Sequence, residues 1–115
     1  MADEFTYDVL GCPSWDELDD NVDIQITLSD GRRYTATFFT LRNLESLFEK
    51  NRMTGECAGG IYLWACDMIL VKRLDHETIR ATIADLISSD ELDSACLQIM
   101  AVGGVRLTRG IKEKE

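Results

Sequence analysis

The chain has 115 residues, 45% apolar and 29% charged, with 21 acidic against 12 basic side chains and a formal net charge of −9. That length and composition fit a single globular domain, which buries about two-thirds of the surface its unfolded chain exposes, and exclude a disordered or disulfide-dependent chain. The imbalance has one origin: nine carboxylates and no lysine or arginine precede Arg32, and from Arg32 onward acidic and basic residues are twelve each.

Along the chain, Phe5, Tyr7 and Val9 alternate with Thr6 and Asp8, which predicts an edge strand. Gly11-Cys12-Pro13 turns the chain, and Ser14 with Glu17 matches a capping box, predicting a short helix that ends near Asn21. Val22, Ile24, Ile26 and Leu28 then alternate with Asp23, Gln25 and Thr27, the period of a strand with one wet face. Asp30-Gly31 suits a tight turn, and Tyr34 to Phe39 supplies the second strand of a hairpin.

Thr40 can cap a helix carrying the apolar stripe Leu41, Leu44, Leu47 and Phe48, with Lys50 and Arg52 in its last turn and Gly55 to end it. Gly59-Gly60 breaks the chain before a second β region, Ile61 to Trp64 and Asp67 to Val71, as two short strands or one bulged strand. Asp75 can cap a second main helix with the stripe Ile79, Ile83, Leu86 and Ile87, ending at Ser88-Ser89, and Asp90 to Ile99 suits a short third helix. The expected architecture is α+β, an antiparallel sheet of four or five strands with two main helices packed on one face. Residues 1–100 form the domain in this reading, and 101–115 a loosely held tail.

Most patterns that suggest chemistry fail on inspection. Asp19, Asn21, Asp23 and Asp30 imitate a calcium loop, but Ile24 stands where that loop needs glycine. His76 is the only histidine and lacks the second histidine of a metalloprotease helix; Cys57 and Cys66 lack an adjacent base; Thr54 to Gly60 lacks the lysine of a phosphate loop. Asp67 reads either as an exposed hairpin tip or as a partly buried carboxylate paired with arginine. The four cysteines, Cys12, Cys57, Cys66 and Cys96, show no metal-ligand spacing and fit free thiols. No catalytic residue, cofactor or metal is therefore expected. No run approaches the roughly 18 apolar residues of a membrane span, and Met1-Ala2-Asp3-Glu4 does not open a signal peptide, so a cytoplasmic location without membrane contact is expected.

What remains is the acidic segment. Carboxylates attract basic partners and repel nucleic acid, so direct nucleic-acid binding is not expected. Trp15 beside Asp16, Glu17, Asp19, Asp20 and Asp23 combines an apolar anchor with a charged rim, the pattern of a protein interface. The alternative is that Trp15 is core and the acids keep the domain soluble.

The stretches Phe39 to Phe48, Thr54 to Cys57 and Tyr62 to Val71, within the span from Val22 to Ile99, give the chain a likeness: it resembles small bacterial immunity proteins of contact-dependent growth inhibition and related polymorphic toxin systems. The resemblance implies a non-catalytic cytoplasmic protein that binds one cognate toxin domain, often a basic nuclease. Joined to the charge, it gives the expectation of an immunity protein that presents Trp15, Asp16, Glu17, Asp19, Asp20 and Asp23 to the toxin. The alternative is a non-catalytic adaptor or regulatory subunit that binds a basic host protein.

Overall fold

The computed structural model describes residues 4–11 and 13–99. Cys12 and the tail expected over 101–115 lie outside these described residues. At the centre is the hairpin: β2 (Asn21–Leu28) pairs antiparallel with β3 (Arg33–Thr40), Ile24 opposite Ala36 and Ile26 opposite Tyr34. In the turn the Gly31 amide donates to the Leu28 carbonyl at 2.9 Å. β1 (Phe5–Leu10) extends the sheet on the other side of β2, antiparallel, with Tyr7 opposite Ile26 and Val9 opposite Ile24.

Because strand side chains alternate, Val22, Ile24, Ile26, Tyr34, Ala36 and Phe38 share one face, and all six are buried. Asp23, Gln25 and Thr27 fall on the other.

The second edge of β3 is divided between two strands. β4 (Met68–Val71) runs parallel to Thr37–Thr40, and β5 (Leu97–Ile99) runs antiparallel to Arg33–Thr35. The sheet has five strands in a mixed α+β fold, with β3–β4 as its parallel pair. A parallel pair needs a crossover, supplied here by α1 (Leu41–Thr54) and by α2 (Glu56–Gly60), which is a short turn and not a regular helix, with Cys57, Ala58 and Gly59 at positive φ.

Thr40 caps α1 as its sequence predicts, the hydroxyl accepting from the Asn43 amide at 3.1 Å. Gly55 closes it at φ 91°, a left-handed conformation that costs glycine little, and its amide donates to the Asn51 carbonyl at 2.8 Å. The apolar stripe, however, stays outside the core: Leu41 and Phe48 are exposed, and the buried residues of α1 are Asn43 and Asn51.

α3 (His76–Ser88) covers the core face instead. Asp75 caps it by accepting from the Thr78 amide at 2.8 Å, and Ile79 and Ile83 are fully buried against the sheet, with Leu86 and Ile87 packed beside them. Burying each such side chain is worth about 1.5–3 kcal/mol, which makes α3 the helix that closes the core.

Four sequence expectations are corrected. Ser14 to Asn21 forms no helix, because the Asp16 and Asp20 side chains capture loop amides that a helix would need. Ile61 to Trp64 is not a strand; only Met68–Val71 of that region pairs. Asp90 to Ile99 divides into α4 (Leu92–Ala95) and β5, since Leu97 to Ile99 find an open stretch of β3. Asp67 is no hairpin tip: it precedes the parallel strand β4, and its carbonyl accepts from the Thr37 amide at 3.0 Å.

The buried Tyr34 ties this end together. The Tyr34 hydroxyl donates to Asp93 Oδ1 at 2.6 Å, and burial followed by the bond to Asp93 pushes its pKa up to about 12. Burial likewise pushes the Cys96 thiol up to about 12. Among the described residues Cys57, Cys66 and Cys96 are free, and no helix is long and apolar enough to cross a membrane.

Candidate functional site

The chain between Gly11 and Asn21 is polar and short of helix formers, so its shape is set by what its groups bond to. Trp15 is half-buried against the core, and its Nε1 donates to the Leu74 carbonyl at 2.6 Å. The Leu74 amide in turn donates to the Glu17 carbonyl at 2.7 Å. Leu74 is fully buried, so this two-way clamp fastens the loop to the link between β4 and α3. Arg73 adds an exposed ion-pair bridge, binding Glu17 Oε1 at 2.8 Å and Asp75 Oδ2 at 2.9 Å. Hydrogen bonds from the Thr78 side chain and amide, then the Arg73 charge, hold the Asp75 carboxyl below its usual range.

The other carboxylates act as struts. Asp16 Oδ1 accepts from the Leu18 amide at 2.9 Å, and Asp20 accepts from the amides of Asp16 at 3.1 Å and Asn21 at 2.8 Å. The Asp20 carbonyl also accepts from the Thr40 amide at 3.2 Å, at the start of α1. Asp19 receives the Ser46 hydroxyl, 3.3 Å from either oxygen, while Asn21 Nδ2 donates to Asn43 Oδ1 at 2.9 Å.

Thus Trp15, Asp16, Glu17, Asp19 and Asp20 belong to one loop braced on β3, α1 and the start of α3. Asp23 stands apart on the sheet face away from α3, accepting from the Thr37 hydroxyl at 2.8 Å. Asp16, Glu17 and Asp23 remain exposed, and Asp19 and Asp20 half-buried. The loop therefore presents negative charge at fixed positions, and Glu17 presents it partly neutralised by Arg73.

The two tryptophans differ. Trp15 is tied to the fold by its ring and its N–H, whereas Trp64 is 68% exposed, near the exposed Ile61 and Tyr62. These three come after α2, which packs on α1, where Leu41 and Phe48 are also exposed. Their apolar character is plain in the sequence, but the strand expected over Ile61 to Trp64 is not formed and these residues lie outside the sheet.

Known protein families, curated proteins and solved structures contain no match to this chain. Among the described residues no group of three or more His, Cys, Asp or Glu is placed to hold a metal ion. The loop carboxylates are suited to pairing with cationic side chains of a partner, and the apolar residues around α1 and α2 to excluding water from a contact.

Proposed function

We propose that this chain is a cytoplasmic immunity protein that binds and neutralises a cognate toxin domain with a basic surface. The observation that carries the reading is the bracing of the acidic loop. A loop whose backbone and Trp15 are already fixed by bonds to Leu74 and Thr40, and whose Asp19 carboxylate is held by Ser46, loses little freedom when a basic partner pairs with its acids, and preorganisation of this kind is what converts charge complementarity into affinity. The exposed Trp64, Tyr62 and Ile61 supply apolar contact of the sort that anchors an interface.

The test is growth. The C-terminal domain encoded by the gene immediately upstream is expressed in a sensitive host with and without this chain. Rescue supports the reading, and an upstream product harmless by itself overturns it in favour of the adaptor. For the site, Asp16→Asn, Asp19→Asn and Asp23→Asn together should weaken binding of the toxin domain about tenfold and flatten its salt dependence. Unchanged affinity and salt slope would remove these three carboxylates from the interface.

A further inference from the structure

On the core-face side of β1, the strand and the first turns of α3 enclose an open hollow of about 460 Å³. Its walls include Tyr7, Val9, Pro13 and Trp15, and from the helix His76 and Arg80. His76 and Arg80 are four residues apart, so they project from the same side of α3. We propose that this hollow binds an anionic group, a carboxylate or phosphate carried on an aromatic or aliphatic body. The proposal does not depend on the toxin-binding reading.

Arg80 is the reason. Its guanidinium carbon lies 5.5 Å from the centre of the Tyr7 ring and 5.7 Å from that of Phe5. Stacking on two rings orients the guanidinium without using its N–H donors. Arg32, Lys50, Arg52 and Arg73 each pair with a carboxylate; Arg80, like Arg33, Arg42 and Lys72, has no such ion pair among the described residues, and of these four it is the one that lines the hollow. In a chain of net charge −9 an arginine so placed, its guanidinium making no ion pair among the described residues, suits a ligand's negative group.

The neighbours fit the same ligand. The Tyr7 hydroxyl is hydrogen-bonded to His76 Nδ1, which sets the ring and leaves Nε2 for a further contact. Trp15 meets the His76 ring edge-on, with centroids 5.6 Å apart, and fixes it from the other side. Burial raises the Tyr7 pKa against the opposing pull of Arg80, so the hydroxyl stays a neutral donor. Trp15, Val9 and Pro13 give the apolar wall. The carboxylates near the hollow are Asp8, which lines it, and Glu77, next to His76 on the helix; Asp75 is occupied by Arg73.

The sequence contains one histidine, so the imidazole NMR signals of His76 are a unique reporter. The full chain is titrated, at constant pH and ionic strength, with phenyl phosphate, phenylacetate, neutral phenylacetamide and inorganic phosphate. Phenyl phosphate or phenylacetate should shift the His76 signals saturably, at least tenfold more tightly than phenylacetamide or inorganic phosphate; the tighter of the two anions names the head group. Arg80→Gln should weaken that binding at least tenfold while the amide spectrum of the β2–β3 hairpin stays unchanged. Shifts that never saturate, equal affinity for phenylacetamide, or equal affinity in the variant would each overturn the proposal.

Discussion

Trp15→Phe keeps an aromatic ring against the core while removing the indole N–H that donates to Leu74 at 2.6 Å. Removing the donor leaves the carbonyl of the buried Leu74 without its partner, which costs about 2 kcal/mol. In a domain of this size 1 kcal/mol moves the thermal midpoint by about 4 °C, so the midpoint should fall by about 8 °C. Circular dichroism melting measures it, with Trp64→Phe as the control because that side chain is 68% exposed and should change the midpoint by less than about 2 °C. Native-state hydrogen exchange supplies a local reading. The Leu74 amide, which donates to the Glu17 carbonyl at 2.7 Å, should lose protection in Trp15→Phe more than the amides of β2 do. Equal melting shifts in the two variants, with Leu74 protection unchanged, would refute the clamp.

Tyr34 predicts an alkaline limit. Its folded pKa of about 12 lies above the ordinary tyrosine value of 10.0, so its stabilising contribution is fully present below pH 10 and is lost as pH rises from there towards 12; Tyr34→Phe should flatten that decline in urea melts across the same range. In the α2 turn Ala58 holds φ 55°, and Ala58→Gly should raise stability by about 1 kcal/mol net, strain relief exceeding the added freedom of the unfolded chain. Gly60→Ala in the same turn should destabilise by more than about 2 kcal/mol in denaturant melts, because a Cβ there would stand 2.7 Å from the Phe48 carbonyl oxygen at φ 89°.

The elements legible in the sequence were those whose signals are local. The β2–β3 hairpin shows its alternation within eight residues, and Thr40 and Asp75 each announce a helix through an amide only three residues further on. β5 has only three residues, and its pairing with Arg33 to Thr35 depends on chain more than sixty positions away, which no local pattern carries. The acidic loop was visible as charge but not as a strut, since its partners Leu74, Ser46 and Thr40 are distant in sequence. Amphipathic spacing marks a stripe on α1 as clearly as on α3, and it does not say which of two helices takes the sheet. The gathering of Tyr7, Trp15, His76 and Arg80 had one local trace, the spacing of four between His76 and Arg80 on a predicted helix; β1 and the loop had to be placed in space before the rest emerged.

The divided edge of β3 sets an order of assembly. β1, β2 and β3 are contiguous in the chain and can pair as a meander once residue 40 exists, while β4 waits for a crossover of 27 residues and β5 for the chain to reach residue 99. Local pairings close small loops and form early; the distant ones carry a greater closure cost. During synthesis, therefore, the β3 backbone groups opposite β5 stay unpaired until nearly all the described chain has been made, and an early stop would leave that stretch of strand open to pairing with a neighbouring nascent chain.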